Sequence, residues 1–173
     1  MSTAVAVSSI AGELAIFTRQ SQIVQGIIRR NASDLTHDDS VRQPQPGGNC
    51  LNWVIGHLVW VYDLLLPALG QEPVFGDRLP TGYQRHSNDQ LDRGQALPLS
   101  ELLTAFDQAA TRFQAGLATA TPELLDSPAP ISPSNNPNET IRSLLIAVSF
   151  HQAYHTGQTG LLRRMAGKEG AIK

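Results

Sequence analysis

The chain has 173 residues, of which 41% are hydrophobic and 16% charged, with a formal net charge of -2. That composition suits one globular domain with a real core and excludes a disordered chain. The balanced charge, with no basic run, leaves no electrostatic case for nucleic-acid binding.

The N-terminus, Met1 to Ser9, lacks a basic leader and a proper apolar run, so no signal peptide is expected. The first helix is predicted from about Ser9 to Arg30, with Ser8 or Ser9 as its cap. Its apolar seam runs through Ile10, Leu14, Phe17, Ser21, Val24 and Ile28, in alternating steps of four and three. Residues 31–49 read as a connector. Asp34 to Asp39 suits a short helical turn, and His37 lies solvated among acidic residues. Pro44 to Gly48 cannot continue a helix.

A second helix is predicted over Asn49 to Leu69, with Asn49 as cap. Its seam is Cys50, Val54, His57, Val61, Leu64 and Ala68, yet it is apolar nearly all round. Such a helix is central to the fold or shared with another subunit. Trp53, Trp60 or their neighbours are therefore expected in a homodimer contact, unless connectors cover them within one chain. His57 and Asp63 interrupt the apolar run and Pro67 ends it, which argues for a buried helix and against a membrane span. Cys50 is the only cysteine, so no internal disulfide forms, and a reducing cytoplasm is expected. It reads as a small core residue, with a thiolate nucleophile as the lesser alternative.

Gln71 to Pro98 is a long connection that can run back along the bundle and make the second and third helices parallel neighbours. Phe75, Tyr83 and Leu91 are expected to pin it, with His86 exposed. The third helix is predicted over Glu101 to Ala120, capped by Ser100, with its seam on Leu103, Phe106, Ala110, Phe113, Leu117 and Ala120. Thr121-Pro-Glu suits a short extra turn, and residues 127–137 form a second polar connector. The fourth helix is predicted from Asn138 or Glu139 to about Met165, with Gly167 as its stop. With no convincing strand and no repeat, the fold class is all-α, a four-helix bundle in a single domain over residues 1–173.

The fourth helix carries the chemistry. Its seam of Ile141, Leu144, Val148 and Leu162 continues through His151, His155 and Gln158. His151 and His155 are four residues apart, so their rings stand one turn apart on one inward face. Buried imidazoles need partners, and His57 on the second helix is the best third ring. Three neutral histidines can hold a divalent ion with a coordination position left open. The ion can then polarise a carbonyl, bind a thiolate or acidify water. Position 152 is Gln, so the general base of a His-Glu-x-x-His metalloprotease is missing. Gln158 and Tyr154 are candidates for contacts to the histidines or to substrate. Their structural alternatives are a core bond from Gln158 to the first helix near Ser21, and packing of Tyr154 with a wet hydroxyl. Asp63 falls off the metal face.

Asn52-Trp53-x-x-Gly56-His57-Leu58, followed by His151-x-x-x-His155-x-Gly157-Gln158 and Arg163, resembles the DinB-like superfamily. Asp34-Leu-Thr, Pro46-Gly and Asn49 match its connector. The resemblance covers nearly the whole chain in helix order and length. It implies an up-down-down-up four-helix bundle, often dimeric, with a divalent metal, zinc or nickel, on His57, His151 and His155. It further implies a metal-dependent hydrolase, or a transferase or isomerase using a low-molecular-weight thiol, acting on a small molecule. The contrasting expectation is a non-catalytic, metal-bound dimer serving as a binding or stress-related module. A homodimer is expected in either case, with no nucleic-acid or membrane partner.

Overall fold

A computed structural model describes residues 2–85 and 91–172, with side chains from Ile10 onward. His86, expected to be exposed, lies outside the described residues. Six α-helices form among them: α1 (Ser2–Ala32), α2 (His37–Ser40), α3 (Leu51–Leu65), α4 (Leu99–Thr119), α5 (Pro122–Leu125) and α6 (Ile141–Met165). The described residues form no strand, only an isolated antiparallel bridge between Pro128 and Thr140. The four long helices enclose one core in the cyclic order α1, α4, α3, α6.

The seam of α1 is buried at Phe17, Ser21, Val24 and Ile28, as its periodicity predicts. The helix itself begins at Ser2, so Ser8 and Ser9 lie inside it and neither is its cap. At its other end, Arg163 of α6 donates to the carbonyls of Asn31 (3.2 Å) and Ser33 (2.8 Å) and pairs with Asp34 (2.8 Å). The guanidinium thus satisfies carbonyls that every helix end leaves open. Asn31 Nδ2 donates to Thr159 Oγ1 at 2.9 Å, and Glu13 pairs with Arg142, so α1 and α6 meet start to start and end to end.

The short turn expected at Asp34 to Asp39 is α2, held by a reciprocal cap between Thr36 and Asp39. His37 on it is exposed. Cys50, not Asn49, is the residue preceding α3, and it makes no side-chain cap bond. The α-helix stops at Leu65 and tightens into a 3-10 turn over Leu66–Leu69, where Pro67 cannot supply an amide. Leu51–Leu69 is long and apolar enough to cross a membrane, but most of it is buried in the bundle. The expected seam is buried in the first half, at Cys50, Val54 and His57, but in the second half Tyr62, Leu65 and Leu66 are fully buried off the seam, while Val61, Leu64 and Ala68 are half-buried. A helix apolar on every side has no single seam for periodicity to find.

The connector after α3 covers it. Leu79, Tyr83 and Leu91 are buried against the core, with Phe75 half-buried. Asp63 anchors the connector's start by accepting from the amides of Val74 (2.6 Å), Phe75 (2.9 Å) and Gly76 (3.0 Å). Trp53 is buried beneath it and Trp60 is half-buried. The connector therefore covers Trp53 within one chain and leaves Trp60 partly exposed. α3 and α4 meet near their starts, where Asn52 Nδ2 donates to Leu97 O at 2.9 Å, and near their ends, where Leu69 packs on Gly116.

α4 begins at Leu99, so Ser100 lies inside it and Pro98 precedes it. Phe106, Ala110, Phe113 and Leu117 are buried as expected. Thr121 caps the short α5 with Pro122 in its first turn. α6 begins two to three residues later than predicted, because Thr140 caps it through a reciprocal pair with Ser143.

Candidate metal centre

α3 and α6 pack together so that His57, His151 and His155 face one another. Their nearest ligand atoms all lie within 4.8 Å. His57 and His155 are buried and His151 is half-buried, which gives the cluster one less covered side. His57 Nε2 lies 3.1 Å from His151 Nε2, and His155 Nε2 lies 3.0 Å from the same atom.

The tautomers follow from what the other ring nitrogens meet. His57 Nδ1 lies 2.9 Å from the carbonyl oxygen of Tyr83, which can only accept. His155 Nδ1 lies 2.7 Å from Gln158 Oε1. In this orientation the amide's Nε2 also donates to the Tyr154 hydroxyl at 3.4 Å. Both Nδ1 atoms therefore carry the proton, and the Nε2 lone pairs of His57 and His155 both aim at His151 Nε2. A single N–H on His151 is the most this triangle can hold, and His151 Nδ1 is itself buried with no partner among the described residues. Such a donor set fits a cation. A tetrahedral ion with bonds of 2.0–2.1 Å holds its nitrogens about 3.3 Å apart, close to the spacing already present.

Burial suits the same role. Desolvation pushes His57 down to about 4 and His151 to about 3, and lowers His155 as well. All three rings are neutral near pH 7, the form that ligates a metal. Arg85 adds to this, since its positive charge bears on His57 and His151. Its Nη1 donates to Pro133 O at 3.3 Å.

The motif around His57 works as a mount. Trp53 stacks on the His57 ring with centroids 4.4 Å apart and planes at 11°, and its Nε1 donates to Gly82 O at 2.8 Å. Asn52 Oδ1 accepts from the Tyr83 hydroxyl at 2.7 Å, and that hydroxyl accepts from Leu97 N at 2.8 Å. Gly56 leaves room for the Tyr83 ring, since a Cβ there would stand 2.3 Å from it. Asn52, Trp53 and Gly56 thus hold one turn of the connector, and that turn's carbonyl orients His57.

Residues 24–159 match the sequence profile of the DinB superfamily. The chain belongs to that superfamily. The matched span contains all three histidines. A solved structure shares the fold: the crystal structure of a conserved protein from Enterococcus faecalis aligns with a TM-score of 0.69 at 16% identity. The alignment covers 89% of this chain and 97% of the other. No curated protein matches the chain.

Of the residues singled out from the sequence, the three histidines come together and Gln158 joins them through His155. Gln158 does not reach α1, where Ser21 instead meets the Tyr62 hydroxyl at 3.4 Å and Gln114 at 3.3 Å. Tyr154 is 58% exposed, with its ring edge-on to His155. Asp63 belongs to the connector anchor, away from the histidines. Cys50 is buried with its thiol pushed up by desolvation, the state of an inert core residue. Tyr83 was legible only as an anchor of the connector. The signal for its role was Gly56, a helix-interior glycine whose cost in helix stability calls for a close neighbour.

Proposed function

We propose that this DinB-superfamily protein is a metal-dependent enzyme that binds one divalent ion, zinc or nickel, on His57, His151 and His155. The reaction classes that suit it are hydrolysis of a small molecule and transfer involving a low-molecular-weight thiol. The observation that carries this reading is the convergence of three Nε2 atoms, two of them held as lone-pair donors by Tyr83 O and Gln158. When bound, the ion supplies a Lewis acid with an open position. Tyr83 and Gln158 fix the direction of two rings, as partners of metal-bound histidines do. Trp53 and Trp60 flank His57, with ring centroids 4.4 and 5.4 Å away, and keep water off it. Arg85 favours a substrate bearing an anionic group. The meetings of α1 with α6 and of α3 with α4 at matching ends support an up-down-down-up course for the bundle.

Elemental analysis of protein purified without a His tag tests the metal. The expected result is about one divalent ion per chain, lost in His151→Ala with helicity retained. No metal in either protein, even after incubation with zinc or nickel, would leave the three histidines as core residues. Substrate screening then starts with thiol conjugates and esters. For an anionic substrate, Arg85→Gln should raise KM about tenfold, the scale of one hydrogen bond to a charged group, with kcat little changed.

A second reading is a non-catalytic metal-bound bundle serving as a binding or stress-related module. Under it, His155→Ala lowers the melting temperature and no turnover is found to lose.

A further inference from the structure

His151 is half-buried where His57 and His155 are buried, so the cluster opens on its side. Beside it on α6 and one turn further on, Phe150 (74%) and Tyr154 (58%) stand in solvent. They repeat the four-residue step of His151 and His155, so an exposed aromatic row runs alongside the row of histidines. Tyr154 meets the cluster itself, with its ring edge-on to His155 and the centroids 5.3 Å apart. Ring packing with a wet hydroxyl ordinarily explains an exposed tyrosine. Here the hydroxyl has a protein partner as well.

That partner fixes the direction of the hydroxyl. With its Nε2 lone pair turned to the other histidines, His155 carries its proton on Nδ1, so Gln158 Oε1, 2.7 Å away, accepts it. The other end of the amide is then Nε2, which only donates, and it faces Tyr154 Oη at 3.4 Å. Tyr154 Oη therefore receives a hydrogen from Gln158, and its own O–H points elsewhere. No other partner of that hydroxyl occurs among the described residues. One row of bonds thus runs from a ligand ring to a free hydrogen-bond donor on the open side of the cluster.

The charge around the cluster suits what such a donor would hold. No carboxylate or thiol joins the three histidines. The side-chain charge that bears on His57 and His151 from outside the cluster is the cation Arg85. A divalent ion on three neutral rings beside a guanidinium leaves its whole charge to be balanced by what binds there. We infer that the open side of the histidine cluster is an oxyanion site, with the Tyr154 hydroxyl as its hydrogen-bond donor. The ligand class is a small carboxylate, or a like group with two oxygens, one for the ion and one for Tyr154. A hydrogen bond to a charged acceptor is stronger than a neutral one. The inference rests on the metal reading proposed above and adds to it a contact residue and a ligand class.

Cobalt-loaded protein tests it, because the visible absorption of bound cobalt reports what occupies its open position. Acetate and thiocyanate are the probes. Acetate has a second oxygen to accept from Tyr154, whereas thiocyanate binds through one end and carries no oxygen. Tyr154→Phe keeps the ring and its contact with His155 and removes only the hydroxyl. The acetate dissociation constant should rise about tenfold in Tyr154→Phe, the scale of one hydrogen bond to a charged group. The thiocyanate constant and the cobalt stoichiometry should match wild type. Equal acetate affinity in the two cobalt-loaded proteins would overturn the inference and leave the metal reading standing. So would an equal loss for both anions, or acetate that fails to perturb the wild-type spectrum. Cobalt absent from wild type would overturn the metal reading and this inference with it.

Discussion

His57 is held from three sides by its own helix and its own connector. Trp53 packs on its face, the Tyr83 carbonyl accepts a hydrogen bond from its Nδ1–H, and Gly56 gives Tyr83 the space to do so. Placing one methyl group at Gly56 separates this mount from the rest of the fold. Gly56→Ala puts a Cβ against the Tyr83 ring, which is fully buried and cannot swing into solvent. The expected loss is about 1–3 kcal/mol of stability by overpacking, read from urea denaturation. Metal affinity should fall a further 10- to 100-fold as the Tyr83 carbonyl leaves His57 Nδ1, read by chelator competition. Gln158→Leu should weaken metal binding by a similar factor with little loss of stability, because Gln158 is half-buried and its main partner is His155. A Gln158→Leu protein with unchanged affinity would mean that the amide does not orient the ring.

At the scale of elements, the long connector is what closes α3. Its start hangs on one carboxylate, Asp63, which accepts from three successive amides, and its later turn hangs on the Tyr83 hydroxyl. Each amide bonded to a charged acceptor is worth more than a neutral pair. Asp63→Ala is expected to cost about 2 kcal/mol or more and to speed hydrogen exchange at Val74, Phe75 and Gly76. The exchange of α1 and α6 amides should not change. Equal protection of the three amides in both proteins would remove Asp63 as the anchor. The same elements show how sequence and structure relate. Periodicity located α1, α4 and α6 because each has a wet side, and it placed Phe17, Phe106 and Val148 correctly. It failed on the second half of α3, where Tyr62 and Leu65 outrank the predicted Val61 and Leu64, because a helix enclosed on all sides carries no phase.

For the whole molecule, the buried histidines couple folding to pH. In the metal-free fold His57 titrates at about 4 and His151 at about 3, below the value of about 6.5 for an exposed ring. Between those limits the unfolded chain binds more protons than the folded one, so stability rises with pH there. Metal-free protein should therefore lose stability as pH falls from about 6.5 towards 4, measured by denaturation midpoints across that range. Bound metal should raise the midpoint at pH 7 and lose that advantage as protons compete for the rings. A metal-free midpoint that stays flat from pH 7 to 4 would show that the histidines are not desolvated.

What the sequence determined by itself is the set of long helices, the all-α class, the superfamily, and the pairing of His151 with His155. Those follow from local periodicity and motif spacing, which depend only on neighbours along the chain. The third ring, His57, was legible because its helix and motif are as regular as those of α6. The tertiary structure alone decided that the connector covers Trp53, that the Tyr83 carbonyl orients His57, and that Gln158 turns to His155 instead of to α1. It also left apolar side chains exposed on α1 and α6. Each of these depends on which distant segments pack together, a matter of shape and burial between residues far apart in the chain. Ile16, Phe150 and Leu161 read as ordinary apolar positions until the bundle closes, and only the closed bundle leaves them facing water.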